Sequence, residues 1–186
     1  MRLILASSSE RRIALLKEKN VKFEVIPSNV NEDFSLNLTP RQIVKLLSDR
    51  KAESVARQQD DDSIIIGADT IVYIDNQVLG KPDNEQSAFE MLSMLSGKTH
   101  VVYTGVSLYK NKKYLDGFVD KSSVTFRRLS KKDIQEYIDT KEPFGKAGSY
   151  AIQGIGKKLV DSYSGDVNTI IGLPIDRLLK LLSLYL

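Results

Sequence analysis

The stretch Ile64-Ile65-Ile66-Gly67-Ala68-Asp69-Thr70-Ile71-Val72-Tyr73-Ile74 is the most apolar run of the chain, and it predicts a strand buried on both faces. Aspartate is depleted in strands, and a buried unpaired carboxylate is costly, yet Asp69 sits in the middle. Side chains alternate along a strand. One face therefore carries Ile64, Ile66, Ala68, Thr70, Val72 and Ile74, and the other carries Ile65, Gly67, Asp69, Ile71 and Tyr73. Gly67 beside Asp69 predicts an open space next to the carboxylate. A carboxylate facing a cavity can bind a metal or activate a water. An Asp tied to backbone donors or to a basic side chain fits the same pattern.

A chain of 186 residues makes one large domain or two small lobes and can bury a sizeable core. We read residues 1–186 as a single domain. No apolar run is long enough to span a membrane. The N-terminal Met1-Arg2-Leu3-Ile4-Leu5-Ala6 reads as a strand rather than a signal peptide, because its apolar run is too short. The absence of cysteine rules out a disulfide framework, a thiolate zinc site and a cysteine nucleophile. With His100 as the only histidine, a His-rich metal site and a complete Ser-His-Asp arrangement are poorly supported. A cytoplasmic location is the default. The net charge of +3 suits a polyanionic small ligand and is weak support for nucleic acid.

Leu3 to Leu5 read as a first strand, followed by Ser7-Ser8-Ser9-Glu10-Arg11-Arg12 and apolar residues at helical spacing. Ser7 with Glu10 fits a capping box, and Ser9 is an alternative N-cap. A helix N-terminus offers free N–H groups and a positive dipole end. Hydroxyls and two arginines at that end make a phosphate cradle from Ser7, Ser9 and Arg12. Capping needs one serine and neither arginine, so more is present than a solvated helix start requires. Phe23 to Ile26 read as a second strand, and Asn29 to Asp33 as an acidic loop. Thr39-Pro40-Arg41-Gln42 starts a helix that runs through Val55 and includes Lys51. Gln58 to Ser63 read as a loop.

Asp75-Asn76-Gln77 predicts a hairpin, and Lys81, held between Gly80 and Pro82, suits a placed cation. Asp83 and Gln86 are expected to cap a helix ended by Ser96-Gly97. Val101–Tyr109 and Tyr114–Val119 read as a hairpin around Lys110 to Lys113, with a separate strand at Val124 and Phe126. Ser130 to Asp133 start a short helix. The glycine-dense segment Glu142 to Gly154 can bring backbone close to a ligand, though a turn-rich connector also fits it. A strand around Val160 and Tyr163 follows, and Pro174 opens the last helix. Mixed helices and strands, with both crossover and hairpin spacings, predict an α/β or α+β fold with a mixed sheet flanked by helices, in two lobes with a cleft.

Taken together, Leu5-Ala6-Ser7-Ser8-Ser9-Glu10-Arg11-Arg12, Gly67-Ala68-Asp69-Thr70, Gly80-Lys81-Pro82, Leu95-Ser96-Gly97-Lys98-Thr99-His100, Lys146 to Gly154 and Gly172-Leu173-Pro174 resemble, in order, the motifs of the Maf, or septum-formation-inhibitor, nucleotide pyrophosphatases. The resemblance covers essentially the whole chain. Glu10 departs from it, standing where the family usually has Pro, and adds negative charge beside the phosphate cradle.

The resemblance implies hydrolysis of a nucleoside triphosphate between its α and β phosphates, in a nucleotide house-cleaning role linked to cell-division arrest. It also implies a divalent cation (Mg2+ or Mn2+), a fold similar to inosine-triphosphate pyrophosphatases, and homodimers. Asp69 matches the family's catalytic acidic position. Arg11, Thr70 and Gln153 match positions associated with base choice, and Thr70 and Gln153 resemble the dTTP/UTP subfamily more than the branch acting on 7-methyl-GTP. The residues agree with this chemistry. Arg11, Arg12, Lys51 and Lys81 can neutralise a triphosphate. Glu32 and Asp69, with the phosphates, offer a magnesium ion its oxygens. The rival reading is a nucleotide- or nucleic-acid-binding regulator of septum formation without turnover. Its support is the mild basic charge and the Lys110 to Lys113 turn. Nucleic acid and membrane are not the partners expected.

Overall fold

The computed structural model describes residues 2–34, 37–59 and 62–186. Strands β1 (Arg2–Leu5), β2 (Glu24–Val25), β3 (Ser63–Ile74), β4 (Gln77–Leu79), β5 (Thr99–Lys110), β6 (Lys113–Phe126) and β7 (Val160–Ser164) form one sheet. Its order is β2-β1-β3-β5-β6-β7, with β4 paired to β3. The helices are α1 (Glu10–Glu18), α2 (Pro40–Ala56), α3 (Glu85–Leu95), α4 (Lys131–Asp139), α5 (Val167–Ile171) and α6 (Ile175–Leu182). The α/β class with a mixed sheet is as expected. The chain divides into two compact units. The first holds residues 1–69, 104–120 and 172–186, and the second 70–103 and 121–171.

In the first unit, β1 runs parallel to both β2 and β3, with Ile4 opposite Ile65 and Leu5 opposite Ile66. Parallel neighbours require crossovers, and α1 and α2 supply them. Ile4, Ala6, Ala52, Val55, Ala56, Ile65 and Tyr109 pack into one core, joined by Ile26. Thr39 caps α2 in a reciprocal box with Gln42, as its sequence predicts. At the start of α1 the Ser9 alternative holds and the Ser7–Glu10 capping box does not. Ser9 is the N-cap without a side-chain bond, and the Ser7 hydroxyl is engaged by Ser9 N–H and by Arg12 instead.

In the second unit, the β3–β4 hairpin turns on Asp75 and Asn76, both with positive φ, as a two-residue hairpin of this hand requires. Asn84 and Ser87 form the capping box of α3, not Asp83 and Gln86. Asp83 N–H instead donates to Ser87 Oγ. The β5–β6 turn, which belongs to the first unit, falls at Asn111-Lys112, as expected. The break expected before Val124 is absent, and β6 runs unbroken for 14 residues. Its polar middle faces a half-covered surface, and pairing with β7 from Ser123 to Phe126 carries the ladder onward. Pro174 is the N-cap of α6 rather than its first helical residue. The loop expected at Gln58 to Ser63 includes Asp60 and Asp61, which lie outside the described residues, and Ser63 already belongs to β3. Among the described residues, no helix is long and apolar enough to cross a membrane.

Candidate active site

All of β3 up to Asp69 is buried, as the apolar run requires. The expected cavity beside Asp69 is not what Gly67 provides. A Cβ on Gly67 would lie 2.2 Å from the Ser48 carbonyl oxygen and 2.6 Å from Ala52 N. The missing side chain admits the backbone of α2. Gly105 on β5 acts alike, since its Cβ would lie 2.4 Å from the Val44 carbonyl oxygen. The stretch of α2 from Val44 to Ala52 thus rests directly on the sheet, pinned by a 2.8 Å bond between the Ser48 and Ser107 hydroxyls. Lys51 lies in that stretch, and its buried ammonium reaches Asp69 Oδ1 at 2.6 Å. The alternation that points Gly67 at α2 points Asp69 at α2 also, two residues on.

Lys51 Nζ also contacts Glu32 Oε1 at 2.8 Å, so one ammonium joins a carboxylate from the acidic loop to one from β3. Arg12, buried in the first turns of α1, donates from Nε to the Gly172 carbonyl at 2.8 Å and from a terminal nitrogen to Ser7 Oγ at 3.2 Å. Burial lowers the Arg12 pKa to about 10, while the charges of Asp69 and Glu32 push it up and that of Arg11 pushes it down. It remains a cation at neutral pH. Burial raises the Asp69 pKa, and the Lys51 ammonium and the Arg12 charge act against that rise. The structure therefore gathers Ser7, Arg12, Glu32, Lys51 and Asp69 in the first unit, with Arg11 half-buried and Ser9 at the cap of α1. The carbonyl of Gly172, outside the residues that the sequence points to, also joins this group. Its signal lay in Gly172-Leu173-Pro174, which reads locally as a helix start.

The remaining candidates lie in the second unit. Thr70 follows Asp69 and is half-buried, while Lys81 and Gln153 are exposed. The Gly80 carbonyl accepts from Gly148 N–H at 3.0 Å, which ties the Lys81 turn to the glycine-dense segment. Gln153 precedes a 3-10 turn at Gly154–Leu159, and its side chain does not cap that turn. His100 is buried in the second unit among Phe126 and Tyr150, with its Nε2 2.7 Å from the Tyr150 hydroxyl.

Among the described residues no three His, Cys, Asp or Glu side chains stand together as a metal cage. Glu32 and Asp69, the two carboxylates that Lys51 joins, are oxygen donors of the kind a magnesium-type cation takes from a protein, its other oxygens coming from phosphates and water.

Known proteins resemble the chain over its whole length. A protein of Bacillus cereus strain ATCC 14579, named dTTP/UTP pyrophosphatase, is 45% identical over 184 residues, covering 99% of this chain and 95% of its own. A protein of Clostridioides difficile strain 630 with the same name is 45% identical over 188 residues, covering 100% of this chain and 95% of its own. Among solved structures, a HAM1 protein from Coxiella burnetii is similar over 69% of this chain and 74% of its own, at 17% identity and a TM-score of 0.49. The family described as Maf-like protein matches residues 2–185, from the first residue of β1 to the penultimate residue of the chain, and the chain belongs to that Maf family.

Proposed function

We infer that this protein is a nucleoside triphosphate pyrophosphatase acting on dTTP and UTP, releasing the nucleoside monophosphate and pyrophosphate. The observation that carries the chemistry is the buried Asp69 carboxylate held by Lys51 beside Glu32, within the fields of Arg12 and its neighbours. The relatives' printed activity supports the substrate class. The alternative, a regulator that binds without turnover, has no such support.

The residues act as follows in this reading. Ser7, Ser9, Arg12, Lys51 and Lys81 bind the phosphates, with the N–H groups at the start of α1 adding positive potential. Asp69 accepts a proton from the water whose oxygen attacks the α-phosphorus. The bond from that phosphorus to the α–β bridging oxygen breaks, and pyrophosphate leaves. Glu32 and Asp69 would hold the divalent cation, which when bound supplies positive charge to the phosphate oxygens. Gln153 reads the base: its amide has one acceptor and two donors, which match the carbonyl and N–H edge of uracil or thymine. Arg11 and Thr70 assist base choice. The match over residues 2–185 supports treating both units as one catalytic domain. The substrate class suggests a cytoplasmic setting, and the protein is expected to act alone or as a homodimer.

The test is a panel of dTTP, UTP, CTP, ATP and GTP with magnesium, scored by product. Monophosphate and pyrophosphate from dTTP and UTP in preference to purines are expected. Orthophosphate as the product would replace the reaction class. Equal rates on purines and pyrimidines would reject the base assignment and leave pyrophosphate release standing. Saturable binding with no product would favour the regulator.

A further inference from the structure

Two side chains of the second unit grip the segment that carries Gln153. Glu142 follows α4 and is half-buried. Its Oε2 accepts from the Tyr137 hydroxyl at 2.7 Å and from Gly156 N–H at 2.7 Å, and its Oε1 accepts from Ile155 N–H at 3.1 Å. Tyr137, buried on α4, accepts in turn from Ala151 N–H at 3.2 Å. The anchored amides flank Gln153 on both sides, at Ala151 before it and at Ile155 and Gly156 after it. Gln153 itself stands exposed between them, with extended backbone.

The fit around the pair is close. Gly154 has a φ of +73°, and a Cβ there would lie 2.4 Å from Glu142 Oε1. A Cβ on Gly156 would lie 2.7 Å from the Tyr137 hydroxyl and 2.2 Å from the Ala151 carbonyl oxygen. Ile155 is the second residue of the 3-10 turn, so its N–H comes before the first bond of that turn. Water could satisfy the N–H of exposed Ile155, but Gly156 is buried. A carboxylate fixed 13 and 14 residues away does more, because charge-assisted bonds hold the backbone to one position.

We propose that Glu142, backed by Tyr137, is a positioning residue for base selection: it fixes the backbone on either side of Gln153 so that the Gln153 amide meets the base edge in one register. This rests on the reading of Gln153 as the base reader. Neither Glu142 nor Tyr137 touches the nucleotide, and the effect passes through Gln153. A site built to pair one edge discriminates only while its polar groups stay in place, and small displacements of positioning groups cost large factors.

The test is kcat and KM for dTTP, UTP, ATP and GTP in the wild type, Glu142→Gln, Tyr137→Phe, Gln153→Ala and the Glu142→Gln/Gln153→Ala double variant. Glu142→Gln keeps the size but turns an amide N–H toward a backbone N–H. The pyrimidine-over-purine ratio of kcat/KM should fall about tenfold, with the loss for dTTP appearing in KM more than in kcat. Tyr137→Phe should lower the ratio about threefold, and it carries the test if Glu142→Gln does not fold. Glu142→Gln should add nothing to the ratio in the Gln153→Ala background. A purely structural Glu142 would lower the melting temperature and leave the ratio intact. An unchanged ratio in Glu142→Gln and Tyr137→Phe, with a lowered one in Gln153→Ala, overturns the positioning role and spares the base reader. An unchanged ratio in Gln153→Ala removes the base reader, and the positioning role with it. A further drop in the double variant overturns the route through Gln153.

Discussion

Asp69 is held by opposing forces. Burial disfavours its ionised form, while an ammonium at 2.6 Å and a buried guanidinium favour it. Removing one partner of a buried pair leaves an uncompensated charge, at a cost of about 3–5 kcal/mol. Asp69→Asn is the gentler probe, because it keeps the shape and an acceptor for Lys51. Turnover of dTTP should fall by roughly two orders of magnitude or more, the scale of lost general-base catalysis, while equilibrium binding of dTTP survives in part. Near-normal turnover in a folded Asp69→Asn protein would take Asp69 out of the chemistry.

At the scale of elements, the contact of α2 with β3 and β5 places the candidate site. Two glycines let helix backbone rest on the sheet, and Lys51 reaches Asp69 because of that approach. Gly67→Ala adds one methyl group where backbone atoms stand 2.2 and 2.6 Å away, so α2 must move. We expect a loss of about 3 kcal/mol or more in urea unfolding. Turnover in the protein that remains folded should fall with it, as Lys51 leaves Asp69. A Gly67→Ala protein of wild-type stability and activity would show that this approach does not place the lysine. The strand, the helix cap at Thr39 and the membership of Lys51 in α2 were legible locally. The role of Gly67 was not, because an absent side chain reads equally as space for a ligand or space for a neighbour, and only the packing partner decides.

For the molecule as a whole, His100 ties stability to pH. Burial lowers its pKa from 6.5 to about 4, and among the described residues its Nδ1 has no hydrogen-bond partner. The unfolded chain therefore binds a proton between those values that the folded chain refuses. The stability due to neutral His100 is complete above pH 6.5 and is lost as pH falls toward 4. The loss should reach about 2 kcal/mol at pH 5. Urea midpoints of wild type and His100→Gln at pH 7, 6 and 5 check this, since the variant should lack the drop that wild type shows. Parallel curves for the two proteins would assign the acid sensitivity elsewhere.

Signals that act within a few residues were decided by the sequence alone. Thr39-Pro40-Arg41-Gln42 caps its helix, Asp75-Asn76 and Asn111-Lys112 turn their hairpins, and an unbroken apolar run becomes a buried strand. Each is set by bonds or sterics between near neighbours, so no distant contact is needed to read it. The tertiary structure decided the rest. It took the Ser7 hydroxyl from the helix cap and gave it to Arg12, joined Arg12 to Gly172 across 160 positions of chain, and filled the space beside Gly67 with α2. It also set Glu142 against Ile155 and Gly156. These are contacts between segments far apart in sequence, where several partners satisfy the same local chemistry and packing of the folded chain selects one.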